Sequence, residues 1–134
     1  MSVVYLDASA LVKLVVREPE SVALMEFLRE HPDRVSSALA LAEVPRALRR
    51  ARFGAAERRR AREVLARVAL VDIDRRALAA AAAIEPPTVR TLDAIHLAAA
   101  QTLPALRAVV TYDIRMQAAA QSLGLPIEAP SPEG

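Results

Sequence analysis

The apolar run Val3-Val4-Tyr5-Leu6 predicts a short strand that stops at Asp7, and the pattern then loosens into a helix over about 8 to 16. The same alternation continues down the chain. Pro19 opens a helix over about 20 to 31, with Val22, Met25, Phe27 and Leu28 as its apolar face. A short strand over Arg34 to Ser37 leads into two helices, about 40 to 52 and 55 to 68, divided near Gly54. Val68 to Ile73 reads as a strand, followed by an alanine-rich helix over about 75 to 84 and the loop Glu85-Pro86-Pro87-Thr88. A helix over about 91 to 101, a strand over about 108 to 112 and a helix over about 114 to 123 complete the series, with Pro126-Ile127-Glu128 as an added edge strand. Strands that alternate with helices predict an α/β protein with three layers, a central parallel sheet of four or five strands covered by helices on both faces. No repeat or linker interrupts it, so residues 1–128 are expected to form one domain and 129–134 a short C-terminal tail.

A chain of 134 residues can bury roughly 65 to 70% of its unfolded surface and fold without staples. Aromatic residues are only 3% of it, so the core must be built from Ala, Leu, Val and Ile. No stretch approaches the roughly 18 to 20 uninterrupted apolar residues of a membrane span. Met1-Ser2-Val3 enters the first strand with no basic leader region, and a cytoplasmic location is expected. The absence of cysteine excludes disulfides and thiolate metal sites. His31 and His96 lack a metal-binding spacing, which disfavours zinc.

The formal charge is only +2, yet seventeen of the eighteen basic residues are arginine and nine of those lie between Arg46 and Arg67. Such a stripe, with Arg58, Arg59 and Arg60 at its centre, suits a phosphate backbone because guanidinium pairs bidentately with phosphate oxygens. It equally describes two solvated helices that need no partner. Phe53 stands without interleaved aromatics, so base stacking has little support.

Four acids stand alone in apolar or small-residue surroundings: Asp7, Glu43, Asp93 and Asp113. Asp7 and Asp113 follow predicted strands, at the sheet edge where open α/β proteins bind ligands. Taken singly, Asp7 and Asp113 are natural helix N-caps, and Asp93 lies inside a helix that Thr91 could cap. Glu43, between Ala38-Leu39-Ala40-Leu41-Ala42 and Val44-Pro45, resists that reading, although Arg46 at i+3 offers an ordinary ion pair. Converging carboxylates repel one another and raise each other's pKa unless a cation neutralises them. A hard divalent ion such as Mg²⁺ does this with a few carboxylates, waters and a substrate phosphate, and it supplies the chemistry of phosphodiester hydrolysis.

Those residues carry a resemblance. Tyr5-Leu6-Asp7-Ala8-Ser9-Ala10-Leu11-Val12-Lys13, Ala42-Glu43-Val44, Arg90-Thr91-Leu92-Asp93-Ala94-Ile95-His96-Leu97-Ala98 and Val110-Thr111-Tyr112-Asp113 resemble, in order and over the whole chain, the PIN-domain ribonucleases and among them the VapC toxins of toxin-antitoxin pairs. The resemblance implies a PIN fold and a metal-dependent endoribonuclease with Mg²⁺ or Mn²⁺. It implies that Asp7 and Asp93 are the main metal-contacting acids, and that Glu43 and Asp113 complete the pocket directly or through water. It also matches Ser9 and Thr111 to small hydroxyl positions, read here as orienting groups: Ser9 on Asp7 or a metal water, Thr111 on Asp113. A homodimer and a cognate VapB-type antitoxin are implied as well, the antitoxin meeting helices at about 8 to 31 and 40 to 68 and placing an Arg among the acids.

Two positions depart from the pattern. Pro45 requires Glu43 to lie in a first helical turn or at a kink. His96 shares a helix face with Asp93 where some relatives carry a further acid, and is read as a packed histidine with the pKa range for acid-base work. Other Mg²⁺ folds fail on this chain. A haloacid-dehalogenase-type phosphatase needs an acid where Ser9 stands, a receiver domain needs a late lysine where Lys13 is the only one, and no glycine-rich phosphate loop or G-x-S-x-G is present. The competing reading is a non-catalytic PIN-like module that binds RNA or a partner.

Overall fold

The computed structural model describes residues 2–132. Five strands, β1 Val3–Leu6, β2 Arg34–Ser37, β3 Ala69–Val71, β4 Leu106–Val110 and β5 Ile127–Glu128, form one parallel sheet in the order β3-β2-β1-β4-β5. Seven helices connect them: α1 Ala8–Val15, α2 Ser21–Glu30, α3 Ala40–Arg50, α4 Ala55–Ala66, α5 Arg75–Ala82, α6 Thr91–Gln101 and α7 Ile114–Ser122. The chain winds outward from β1 through β2 to β3, then returns to lay β4 on the other side of β1. Connections leaving β1 and β4 therefore diverge, which opens a crevice at the C-terminal ends of those two strands.

Period-two alternation divides the core. Val4 and Leu6 of β1 and Val110 of β4 pack with Leu11, Leu24, Leu28, Val44, Leu48 and Leu65 from α1 to α4. Tyr5 and Val109 point to the opposite face, where Ala99 and Ala100 of α6 meet them. The alanines let α6 sit close to the sheet, and Ile95, Leu97, Met116 and Ala120 fill the space between α6 and its neighbours α5 and α7. Each fully buried leucine of this core contributes roughly 1.5 to 3 kcal/mol relative to exposure.

The structure follows the predicted α/β alternation, with local differences. In α2 the buried stripe is Ser21, Leu24 and Leu28, and Val22 and Met25 are exposed. The Ser21 hydroxyl accepts from Glu18 N and donates to Val16 O, so the loop before the helix pins Ser21 inward and turns Val22 and Met25 about a hundred degrees away. Strand β3 is shorter than Val68 to Ile73, being an edge strand paired only with β2. Strand β4 begins and ends about two residues earlier than expected: the ladder with β1 closes at Leu6 and Val110, and Thr111 leaves it. Of the expected tail, Pro130 is tied down where its carbonyl accepts from the Tyr112 hydroxyl, while Glu133 and Gly134 lie outside the described residues. No helix of the described residues is long and apolar enough to cross a membrane.

Candidate active site

Asp7 is the N-cap of α1 and lies at the mouth of the crevice, 5% exposed. Its Oδ1 accepts from Ala10 N at 3.1 Å and from the Ser9 hydroxyl at 2.6 Å; its Oδ2 accepts from the Thr111 hydroxyl at 2.6 Å. Each hydroxyl is itself held by the backbone just past β4, Ser9 accepting from Tyr112 N and Thr111 from Asp113 N. Both hydroxyl hydrogens are thus committed to Asp7, and the 3.4 Å approach of Ser9 Oγ to Thr111 Oγ1 is a contact rather than a further bond. Three of the roughly four acceptor positions of the Asp7 carboxylate are filled, leaving one without a partner among the described residues.

Thr111 had been expected to hold Asp113. Its hydroxyl instead donates to Asp7 and receives only the backbone N–H of Asp113. The reason is the early end of β4: Thr111 N donates to Glu128 O and Thr111 O accepts from Gln117 Nε2, which together turn the side chain back over β1. Asp113 is exposed and caps α7 through Arg115 N at 2.9 Å.

Asp93 enters from α6, in the first turn, partly buried. Arg90, not Thr91, occupies the N-cap position there, and it makes no side-chain cap bond because a guanidinium has no acceptor for a backbone N–H. Burial pushes the Asp93 carboxyl above its ordinary value, and the negative charges of Asp113 and Asp7 push it further in the same direction. Burial also raises Asp7, against the hydrogen bonds from Ser9 and Thr111 that favour its charged form. The charges of Asp7 and Asp113 thus act together on the Asp93 carboxyl, with Arg90 acting in the opposite direction.

Glu43 sits in the first turn of α3, the position that Pro45 requires; the proline follows in the next turn, where one backbone hydrogen bond is lost. Its partner is not Arg46. Glu43 Oε1 lies 2.6 Å from His96 Nε2, and His96 Nδ1 lies 2.6 Å from the Tyr5 hydroxyl, with His96 only 2% exposed. His96 is packed, as expected, and is also bonded at both ring nitrogens. Tyr5 went unnoticed in the sequence, although a tyrosine inside an otherwise apolar strand signals a hydroxyl that must find a buried partner.

The arginines divide into two groups. Arg46 and Arg50, one turn apart on α3, line a cavity of about 440 Å³ together with Ser9, Glu43 and Leu92, and Asp93 lines a separate one with Arg90 and Arg115. Arg58, Arg59 and Arg60 are exposed on α4, and Arg59 and Arg60 line a different groove with Lys13, Val22, Met25 and Glu57. The sequence stripe is therefore split by the turn at Gly54, and its α3 half is the one that borders the crevice.

The donor set consists of carboxylate oxygens, which suits a hard divalent ion. Among the described residues no three Asp, Glu or His side chains stand close enough to enclose one ion. Mg²⁺ does not need such an enclosure, since it binds through one or two carboxylates and keeps several waters. The unfilled acceptor position of Asp7 and the raised carboxyl of Asp93 fit a cation of that kind.

Comparison with known proteins agrees with this architecture. The PIN domain model matches residues 4–121. Ribonuclease VapC46 of Mycobacterium tuberculosis is 52% identical over 132 residues, covering 98% of this chain and 100% of that protein. Ribonuclease VapC35 of the same species is 42% identical over 132 residues, and Ribonuclease VapC47 is 36% identical over 133, each match covering 95% of this chain and 96% of the relative. A parallel sheet with acids at its switch point, a PIN match over most of its length and near-full-length identity to these ribonucleases establish that the chain belongs to the PIN-domain family, among the VapC ribonucleases.

Proposed function

We propose that the protein is a divalent-metal-dependent endoribonuclease, the toxin of a toxin-antitoxin pair, that hydrolyses RNA phosphodiester bonds at the crevice between β1 and β4. The observation that carries this reading is the convergence of the negative charges of Asp7 and Asp113 on the partly buried Asp93, beside an Asp7 carboxylate that two hydroxyls hold in place, in a chain of the VapC family. Asp7, Asp93 and Asp113 are the residues that would hold Mg²⁺ or Mn²⁺. Such an ion polarises a phosphoryl oxygen and lowers the pKa of water when bound. Ser9 and Thr111 fix the Asp7 carboxylate so that it meets the ion in one orientation. Glu43 is the acid placed to take a proton from the attacking water, because its Oε1 is occupied by His96 while its Oε2 makes no hydrogen bond among the described residues.

Incubating a mixed cellular RNA pool with the protein in Mg²⁺, in Mn²⁺ and in chelator tests the reading. Discrete cleavage products with either metal, absent with chelator, are expected. Binding of RNA without cleavage under all three conditions would point to a non-catalytic module instead.

Arg46 and Arg50 are proposed to hold phosphates next to the scissile bond, and Arg58, Arg59 and Arg60 to extend that path along α4. Replacing Arg46 and Arg50 by Ala should flatten the salt dependence of RNA binding by about 0.7 per lost phosphate contact on a single strand. The triple Arg58, Arg59, Arg60 replacement should flatten it further without altering the cleavage step. A slope unchanged in filter-binding titrations would remove either group from the RNA path.

The protein is further proposed to act in the cytoplasm as a homodimer with a VapB-type antitoxin. Exposed Val22 and Met25 beside the groove of α1, α2 and α4 support an apolar partner segment on the helices expected to meet it. Retention of an untagged antitoxin through purification, weakened by Val22→Asp with Met25→Asp, is the expected result; unchanged retention would place the contact elsewhere.

A further inference from the structure

We infer that His96 is a positioning residue for the proposed hydrolysis: Tyr5 holds its ring as the Nε2–H tautomer, and the ring in turn fixes the Glu43 carboxylate through Oε1, leaving Oε2 as the working oxygen. The inference rests on the nuclease reading and assigns a role within it. A carboxylate only accepts, so the 2.6 Å bond to Glu43 Oε1 places a hydrogen on His96 Nε2. A neutral ring protonated there offers its lone pair at Nδ1. The Tyr5 phenol, whose ordinary pKa is about 10, has the hydrogen to donate across the second 2.6 Å bond. The rings meet edge to face with centroids 5.7 Å apart, so the imidazole is fixed in plane as well as in tautomer.

The chain of bonds crosses three elements. Tyr5 belongs to the central strand β1, two residues before Asp7; His96 belongs to α6, one turn after Asp93; Glu43 belongs to α3 on the other side of the crevice. Glutamate has three rotatable bonds, and at this partly buried first-turn position it would sample several rotamers without a partner. His96 is nearly sealed from solvent and removes that freedom by tying Glu43 to α6, which carries Asp93, and through Tyr5 to β1, which leads directly into Asp7. A histidine serving only to fill the core would need its two hydrogen bonds but would not need one of them to fall on a pocket acid.

Single-turnover cleavage at saturating metal is the measurement, on His96→Leu, His96→Gln, Tyr5→Phe and Glu43→Gln, each checked for folding by thermal melting. Loss of an outer partner typically costs about 10 to 100-fold. His96→Leu is expected to fall by that factor in rate with RNA affinity unchanged. His96→Gln, whose side-chain amide can donate from nearly the same place, should recover most of the rate, and Tyr5→Phe should lie between. His96→Leu combined with Glu43→Gln should be no slower than Glu43→Gln alone. In ¹⁵N-histidine spectra, where only His31 and His96 report, one ring should show the Nε2–H pattern and lose it in Tyr5→Phe.

Wild-type rates in folded Tyr5→Phe and His96→Gln together with an Nδ1–H or doubly protonated His96 would overturn the role, as would additive losses in the double variant. These variants carry the test even if His96→Leu fails to fold. A wild-type protein inert toward RNA in every metal overturns the nuclease reading and this role with it; an active wild type indifferent to His96 overturns this role alone.

Discussion

Asp7→Asn is expected to abolish metal-dependent cleavage while leaving the protein folded. The side chain keeps its shape and its Oδ1 contacts with Ser9 and Ala10 N, so the cap of α1, worth roughly 0.5 to 2 kcal/mol, survives in large part. Its amide group faces Thr111, whose hydroxyl can accept where it had donated. What is lost is the negative charge and the one acceptor position directed at the ion. Outer partners of metal ligands cost about 10 to 100-fold when removed, and a direct ligand should exceed that range. Cleavage kinetics with Mg²⁺ from limiting to saturating concentration check it: a deficit that saturating metal repairs would mean that Asp7 tunes affinity alone, and an unimpaired variant would remove Asp7 from the site. Ser9→Ala and Thr111→Val should fall within the outer-partner range, because each removes one of the two hydroxyls that orient Asp7 without touching its charge.

Asp93→Asn is expected to do two opposite things, removing activity and raising the melting temperature of the metal-free protein at neutral pH. Burial comes first among the causes that raise this carboxyl, and the charges of Asp113 and Asp7 add to it. The sign follows from linkage. A group whose folded pKa lies above its unfolded value, here the ordinary 3.8, favours folding most where it is protonated in both states, and that contribution is lost as pH rises through the folded pKa. Wild type and Asp93→Asn should therefore melt together at acid pH and separate as pH rises toward neutrality, with the variant the more stable. Added Mg²⁺ should close the gap by stabilising wild type only, since an ion bound by the folded state alone shifts the equilibrium by mass action. Calorimetric melts over pH, with and without Mg²⁺, read all three effects. A variant that melts below wild type at neutral pH would mean that Asp93 serves mainly as a helix-dipole partner for α6. The same linkage predicts that cleavage rises with pH through the raised Asp93 value, because the ion binds the deprotonated carboxylate.

Activity and stability are thus set against each other at the crevice. Hydroxyls, a helix N-terminus and a backbone N–H favour the charged form of Asp7, yet burial still raises it. The acids stand at one crevice before any cation arrives, and burial raises the carboxyls of both Asp7 and Asp93, which costs stability where they are charged.

Much of the fold was legible because its signals are local. The apolar run before Asp7, the β-rich run before Thr111 and the alternation between them depend on residues adjacent in sequence, and the α/β order follows. Asp7 and Asp113 as N-caps were equally legible, since a cap bonds only two or three residues along. In α2, Leu28 is buried and Phe27 packs against the core as expected, whereas Val22 and Met25 are exposed because an upstream loop, through Ser21, sets the rotation of that helix. The arginine stripe was continuous in sequence but is divided in space by the turn at Gly54, so which arginines border the acids could not be counted out along the chain.

By itself the sequence determined the strand and helix order, the isolation of four acids and the family signature, because propensity, periodicity and motif spacing act over a few residues. Only the tertiary structure decided that Thr111 serves Asp7 rather than Asp113, that Glu43 pairs with His96 rather than Arg46, and that Tyr5 stands behind His96. Those pairings join residues between 53 and 104 positions apart. They exist because the crossover places β4 against β1 and α6 beneath it, and a buried polar atom bonds whatever partner the packing brings within reach.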